Sequence, residues 1–228
     1  MAKNPSRSQT ANRVLSRLSR EDFELLEPNL EAVDLPVRKR LEERKKKIDQ
    51  VYFPESGFAS VVANGNGTSI EVGIIGREGM TGLPLLLGHD RAEHETFIQL
   101  AGKGLRIAAV DLRRAQDASV TLHRTMLRYV HAFLQQATTT AFANGRSTTE
   151  ERLARWLLMA HDRADGNDLH ITHEFLGMML ATHRPGVTVA MQALERAGFI
   201  SARRRSITIL KRKALEKHSD GAYVPPDG

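Results

Sequence analysis

The clearest apolar periodicity lies in the C-terminal third of the chain. Apolar residues recur at helical spacing after Thr172, whose hydroxyl can cap a first helix, and again after Pro185, which suits the first turn of a second. Gly198 follows as a left-handed cap. The expected buried residues are Phe175, Leu176, Met179 and Leu180 in the first helix and Val187, Ala190, Met191 and Leu194 in the second.

A basic β-hairpin follows this helix pair. Ile200, Ile207 and Ile209 mark its apolar positions between Phe199 and Leu210, and its turn carries three consecutive arginines, Arg203 to Arg205. The segment from Arg196 to Lys217 contains eight Lys or Arg residues and only one acidic residue. Two helices and a hairpin occur in many small domains, so the pattern alone does not show DNA binding. The alternative is a basic face that only contacts solvent, but the concentration of positive charge favours contact with DNA phosphates.

The N-terminal half has the period of a strand instead. From about Glu31 onward, short apolar runs alternate with turns, and the sequence 64–67, Asn-Gly-Asn-Gly, is a strong hairpin signal. Ile70, Val72 and Ile74 alternate with polar or small residues, which predicts one buried face. Many short strands punctuated by glycine indicate a small antiparallel sandwich or barrel. The expected strands are 51–53, 58–63, 68–75, 96–100 and 105–110.

A heptad pattern joins the two halves and predicts a helix with two apolar faces. Leu122, Met126 and Phe133 lie outside the seam and can pack on the β-domain, so we expect the seam itself to pair with a second copy in a parallel dimer. Asn144 and Gly145 are the expected hinge into the last domain. The residues of the seam are Val120, His123, Leu127, Val130, Leu134, Ala137 and Ala141, with Asn144 at the next position.

Composition narrows the classes of protein. The chain has 228 residues, enough for two modest domains, and a formal net charge of only +6, so its basicity is local. It has no cysteine, which excludes disulfides, thiolate nucleophiles and cysteine-ligated zinc or iron–sulfur clusters. No apolar run approaches the roughly 18 residues of a membrane span, and the polar, basic first twenty residues lack a signal-peptide core. We therefore expect a cytoplasmic protein.

The run from Ile171 to Ser201 resembles, without a gap, the winged helix-turn-helix of the Crp/Fnr family of bacterial transcription regulators. The resemblance covers roughly residues 13–215 and implies an α+β fold. Its expected parts are a disordered tail (1–12), an antiparallel β-roll sensor of the cupin-like or jelly-roll kind (13–110), a dimerisation helix (111–144), the winged helix-turn-helix (145–217) and a C-terminal tail (218–228).

The resemblance assigns DNA contacts residue by residue. Arg184 matches the arginine that reads guanine, and Thr188 and Gln192 face base edges from the exposed side of the helix. Pro185 and Val189 replace a frequent glutamate and a frequent arginine, so the preferred sequence should differ from that of the cyclic-AMP regulator. A two-fold dimer predicts a palindromic operator with half-sites about 10 bp apart. The side chains assigned to phosphates are Thr172, Thr182, His183, Arg203, Arg204 and Arg205, and His173 is a further expected DNA-binding residue.

The family's nucleotide-binding signature is degraded in the sensor. Gly82 is followed by Leu83 where nucleotide-binding members have glutamate, and His94, Glu95 and Thr96 stand where an Arg-Ser pair clamps the phosphate. A carboxylate there would repel an anion. These five residues therefore outline a vestigial ligand pocket, and we expect neither cyclic AMP nor cyclic GMP to bind usefully.

Other chemistry has little support in the sequence. His89, Asp90, Glu93, His94 and Glu95 cluster, but their spacing matches no metal or haem motif, so we assign no metal, no cofactor and no enzymatic activity. Residues 38–47 hold seven bases and two acids, compatible with binding nucleic acid or RNA polymerase, although we favour a solvated strand edge.

The sequence thus predicts a homodimeric regulator that binds double-stranded DNA and is not gated by cyclic AMP. Two alternatives stay open. One is a regulator gated by an unidentified small molecule or metal in the roll, and the other is a β-roll interaction module that binds nucleic acid nonspecifically.

Overall fold

The computed structural model describes residues 7–65, 68–171, 173–180, 182–203 and 206–226. Two compact units make up the chain. The first comprises Met1–Val61 and Ile74–Leu134, and the second comprises Val62–Gly73 and Gln135–Gly228. No helix within the described residues combines the length and the apolar character that a membrane span requires.

Two short helices, α1 (Arg13–Ser16) and α2 (Arg20–Leu26), open the first unit, each capped by a side chain. Asn12 accepts hydrogen bonds from the amides of Val14 and Leu15, and its Nδ2 donates to the carbonyl oxygens of Pro54 and Gly79, both at 2.8 Å. Thr10 and Asn12 are buried. The expected disorder through residue 12 is therefore wrong for residues 10–12, because an amide side chain with four partners fixes the backbone there.

Seven strands of the described residues form the antiparallel roll that the alternating pattern predicted. Their order in one sheet is β1-β7-β3 and in the other β2-β6-β4-β5. The predicted turn after β3 depends on Gly57, whose φ is +65° and where a Cβ would lie 2.4 Å from the carbonyl oxygen of Leu100. The bounds are β1 (Glu31–Leu35), β2 (Arg40–Glu42), β3 (Gln50–Pro54), β4 (Phe58–Gly65), β5 (Thr68–Ile75), β6 (Glu95–Leu100) and β7 (Gly102–Ala108).

The core of the first unit lies between the strands and the helices. The short helix α3 (Leu83–Leu86) buries Leu85 and Leu86. Helix α4 (Ala109–Ala118) buries Leu112 and Ala115. Other members of the same cluster are Leu15, Leu18, Phe23, Leu26, Val51, Phe53, Met80, Leu105, Ile107, Leu122 and Met126.

The expected single helix over 111–144 is instead two helices. Helix α4 begins at Ala109, so β7 ends two residues earlier than predicted, and α5 (Val120–Arg146) begins after an extended Ser119. The hydroxyls of Ser119 and Thr121 donate to the Asp22 carboxylate at 2.5 and 2.8 Å, which fixes the break. Burial raises the pKa of Asp22, but these hydrogen bonds and the one with Ser19 together lower it by more. The net shift of the pKa is therefore downward.

The second unit is built around α6 (Thr149–His161), which buries Trp156 and packs against α8 (Arg184–Arg196) and α9 (Arg212–His218). Thr148 and Glu151 form a capping box. The expected hinge at Asn144 and Gly145 is helical, and the chain breaks only between Arg146 and Thr149. The remaining elements are β8 (Asp168–Leu169), α7 (His173–Met179), α8 (Arg184–Arg196), β9 (Ile200–Arg203), β10 (Ser206–Ile209) and α9 (Arg212–His218).

The segment after α9 packs against the same unit. Arg212 donates to Asp162 at 2.7 Å and to the Tyr223 hydroxyl at 2.6 Å, and that hydroxyl donates to the other carboxylate oxygen of Asp162 at 2.7 Å. Burial and the bond to Asp162 raise the pKa of Tyr223, so the phenol stays a donor. Ser219 and Ala222 are buried. The expected C-terminal tail is thus partly integrated into the domain.

Candidate nucleic-acid interface

A tight turn connects α7 to α8. The amide of Thr182 donates to the Gly177 carbonyl at 3.0 Å, and a Cβ at Gly177 would lie only 3.1 Å from the carbonyl oxygen of Thr182. A Cβ at Gly186 would lie 2.9 Å from the Thr182 hydroxyl oxygen. Thr182 can lie this close to both helices because Gly177 and Gly186 lack a side chain. Sequence reasoning missed both glycines, although a glycine inside a helical pattern is a sign of close packing.

The buried side of α8 is the predicted one. Val187, Ala190, Met191 and Leu194 are all at most 2% exposed, so the opposite side faces solvent. We call the exposed or half-exposed side chains of Arg184, Pro185, Thr188, Val189 and Gln192 the reading face. A helix with one rigidly packed side presents the other in a fixed geometry.

The reading face begins at the first helical residue. Arg184 opens α8 and is exposed, and the preceding His183 is its exposed N-cap residue. The Thr188 hydroxyl donates to the Arg184 carbonyl at 3.1 Å, which leaves its oxygen able to accept. Thr182 is half-buried in the turn. On the underlying helix α7, Leu176, Met179 and Leu180 are buried as predicted, whereas Phe175 is only half-buried.

The wing is the antiparallel pair of β9 and β10, with Ile207 opposite Ala202 and Ser206 opposite Arg203. Ile200, Ile207 and Ile209 are buried as predicted, and Arg203 is exposed at the tip. Strand β8 pairs with β10 on the other side. The assigned residues Thr172, Arg204 and Arg205 lie outside the described residues, and so does the side chain of His173, which opens α7.

Exposed cations continue from the reading helix into the last helix. Arg196 ends α8, and Lys211, Lys213 and Lys217 are exposed on or beside α9. Cations placed this way attract a polyanion without sequence preference. The C-terminal unit thus combines a shaped helix face with a surrounding positive potential.

The dimerisation seam predicted for α5 is solvent-accessible in the single chain. Val120 and Leu134 are 63% and 59% exposed, and Ala141 is also exposed. His123, Leu127, Val130 and Ala137 are half-exposed, with the His123 ring nitrogen 3.0 Å from the Gln116 amide. Leu122 and Met126 are fully buried on another face. The face of α5 that packs on the first unit is therefore present, Leu127 and Val130 of the seam pack partly against the same core, and the dimer seam stays a prediction.

Gly82 and Thr96, two of the residues predicted to outline a vestigial pocket, share a partner that sequence reasoning missed. The Glu42 carboxylate accepts from the Gly82 amide at 2.7 Å and from the Thr96 hydroxyl at 2.5 Å. Burial raises the pKa of Glu42, and these hydrogen bonds oppose the rise without cancelling it. Nothing local in the sequence could have revealed this, because Glu42 lies 40 residues before Gly82.

The other assigned residues of the pocket are less closely associated. Leu83 packs partly against the core of the first unit, Glu95 is half-buried at the start of β6, and His94 is exposed. Within the described parts of the chain, no group of three or more histidine or acidic side chains is arranged to hold a metal ion.

The family comparison agrees with this geometry. Residues 151–218 match the model of the Crp-like helix-turn-helix domain, a range that contains most of α6, both helices of the turn and the wing. Over this range the chain is similar to Crp-like helix-turn-helix domains. A search of curated protein sequences gave no match.

Solved structures share the fold of this chain at low sequence identity. FixK2 from Bradyrhizobium japonicum has a TM-score of 0.70 at 16% identity, covering 82% of this chain and 96% of its own. The c-di-GMP responsive regulator CLP from Xanthomonas campestris has a TM-score of 0.66 at 16% identity. The match covers 84% of this chain and 99% of that regulator. A CRP-family transcriptional regulator from Thermus thermophilus has a TM-score of 0.67 at 19% identity. The match covers 83% of this chain and 96% of that regulator.

Proposed function

We propose that this chain is a homodimeric, sequence-specific transcription regulator that binds a palindromic site in double-stranded DNA. One observation carries the proposal: α8 buries one apolar side completely and presents Arg184, at its first turn, together with Gln192 on the exposed reading face. An α-helix fits the major groove of B-DNA, and base edges are read from the exposed side of such a helix.

The exposed side chains form two groups, one that contacts base edges and one that contacts phosphates. Arg184 has the fork of donors that matches the O6 and N7 edge of guanine, and Gln192 can pair in the same way with adenine. Thr188 adds a hydroxyl oxygen that accepts. Phosphate contacts fall to the turn and the wing, and they position the reading face without reading sequence. The proposed phosphate contacts are Thr172, His173, Thr182, His183, Arg203, Arg204 and Arg205.

Two heads joined by a two-fold axis would read a palindrome. The seam on α5 supports a second copy of the chain as its occupant, because it follows a heptad spacing and leaves Val120 and Leu134 exposed. Half-sites about 10 bp apart follow from one turn of B-DNA between the two reading helices. Such a regulator acts where the chromosome is, so we place it in the bacterial cytoplasm, with RNA polymerase as a partner at the promoter.

The roll is not a cyclic-nucleotide site in this proposal. A bound cyclic phosphate would need donors near Gly82 and Thr96, and the Glu42 carboxylate already accepts from both residues. The negative charge of Glu95 lies on the neighbouring strand residue. An anion next to two carboxylates without a paired cation is strongly disfavoured. Calorimetric titration with cyclic AMP and cyclic GMP should show no binding, and micromolar affinity for either would refute this part.

Selection from a random duplex library followed by footprinting tests the main proposal. A protected palindrome is expected. Arg184→Ala should weaken the selected site by about 5- to 150-fold, equivalent to about 1–3 kcal/mol, and relax the preference at one base pair. Arg203→Ala is the matched control, because it should weaken selected and random DNA alike and reduce the salt slope by about one. Uniform salt-sensitive coating of DNA by the wild type would contradict sequence-specific reading.

A further inference from the structure

The second unit buries a carboxylate that DNA binding does not explain. Glu71 lies on β5 and is only 4% exposed. Its Oε1 accepts a 2.7 Å hydrogen bond from Nε1 of Trp156, which lies on α6 and is 2% exposed. Burial of a carboxylate is costly unless polar partners compensate it, so an acid at this place requires a reason.

The neighbouring residue of α6 is a buried cation. Arg155 is 7% exposed, and it donates from Nε to the Ala222 carbonyl at 2.9 Å and from Nη2 to the Thr140 hydroxyl at 3.0 Å. Burial is the main cause that lowers the pKa of Arg155 to about 10. The negative charge of Glu71 raises this pKa, and the positive charge of Arg163 lowers it. Residues 155 and 156 therefore bind the hairpin strand, the long helix and the C-terminal segment at one place within the second unit.

Helix α6 also supports the reading helix α8 by packing against it. Both helices contribute buried residues to the second unit. Residues 68–73 of strand β5 belong to the same unit as α6 and α8. The hydrogen bond between Glu71 and Trp156 thus joins this part of β5 to the helix that supports the reading face.

We propose that Glu71 is a positioning residue for DNA binding: by accepting from Trp156 it holds α6, and with it the reading helix α8, in one arrangement relative to residues 62–73 of the same unit. This inference rests on the proposed function. A reading helix held in one arrangement within its unit binds a half-site without a further loss of conformational freedom. A loosened reading helix has to be ordered at the moment of binding, so its affinity falls.

Trp156 is the only tryptophan in the chain, so its fluorescence reports this contact directly. In full-length protein, Glu71→Ala should shift the Trp156 emission to longer wavelength and lower affinity for the selected operator about tenfold, within the usual range of coupling between sites. Glu71→Gln keeps an amide oxygen as acceptor and should restore most of both signals. Trp156→Phe removes the donor but keeps an aromatic ring, and it should show the same fall in affinity.

Glu31→Ala is the matched control, because it removes a carboxylate that pairs with Arg106 at 2.7 Å on the surface of the first unit. It should change neither emission nor affinity. A folded Glu71→Ala protein with unchanged affinity would overturn the positioning role, and so would one that binds more tightly. Unchanged emission would overturn the contact. If Glu71→Ala does not fold, the affinity of Trp156→Phe decides. A wild-type protein that selects no operator refutes the proposed function, while the emission test of the contact still stands.

Discussion

The carboxylate of Glu195 accepts a 2.7 Å hydrogen bond from the backbone amide of Ala202. Glu195 lies near the end of α8 and Ala202 lies on β9, so one bond ties the reading helix to the wing. Gly198 makes the short connection possible, because its φ of +68° reverses the chain at little conformational cost. The positions of the phosphate contacts that we propose on the wing therefore depend on a side chain of the reading helix.

Removing that tie should loosen the wing. Glu195→Ala leaves the Ala202 amide without this acceptor, so we expect a loss of about 1 kcal/mol in the free energy of unfolding and a smaller affinity for all duplex DNA. Glu195→Gln keeps an acceptor and should stay close to wild type. Urea unfolding and gel-shift titration measure the two effects. A Glu195→Ala protein as stable and as tight-binding as the wild type would contradict the tie.

Val189 should contact a thymine methyl group in the half-site. It is 59% exposed on the reading face, one helical turn before Gln192, and thymine is the base that presents a methyl group in the major groove. Replacing thymine by uracil in the selected operator removes that methyl group. Wild-type affinity should fall about fourfold, since one buried methylene contributes about 0.8 kcal/mol. Val189→Ala should be nearly insensitive to the same replacement, and equal losses for both proteins would exclude the contact.

Leu134→Glu should abolish the dimer without unfolding the chain. Leu134 is 59% exposed in the single chain, and a charge buried in an apolar seam is strongly unfavourable. Native mass spectrometry or sedimentation should report monomers at concentrations where the wild type is dimeric, with an unchanged far-ultraviolet circular dichroism spectrum. Arg128→Glu reverses a charge on an exposed part of α5 away from the seam and serves as the control. A dimeric Leu134→Glu protein would place the interface elsewhere.

Glu42→Gln should stabilise the first unit at neutral pH. Burial raises the pKa of Glu42 in the folded chain, so the wild type has its full stability below the ordinary glutamate pKa of 4.5 and loses part of it as the pH rises through the folded value. Glutamine cannot ionise, and the Thr96 hydroxyl can rotate to accept from its amide. The gain should therefore be present at pH 7 and shrink below pH 4.5.

Urea unfolding at both pH values measures this difference, and Glu43→Gln provides the control on the adjacent residue. The hydrogen bond from Lys46, at 2.7 Å, is the main cause that lowers the pKa of the exposed Glu43, so this change should not stabilise the chain at pH 7. A Glu42→Gln protein less stable than the wild type at pH 7 would show that the ionised carboxylate contributes favourably.

Predictions from the sequence succeeded where a single element carries the whole signal. The buried set of α8 and the left-handed turn at Gly198 each depend on residues within about four positions of one another. The predictions failed at boundaries set by distant partners. Asp22 breaks the expected helix at Ser119 from 97 residues away, and Pro54 and Gly79 order Asn12.

The amino-acid sequence by itself determined the helix-turn-helix with its basic wing and the heptad pattern, because periodicity, capping and charge are local properties of a chain. The tertiary structure alone decided which partners Glu42 and Glu71 have. Glu42 meets Gly82 and Thr96, and Glu71 meets Trp156, across separations of 40 to 85 residues. Hydrogen bonds over such distances depend on how strands and helices pack, which no local pattern encodes.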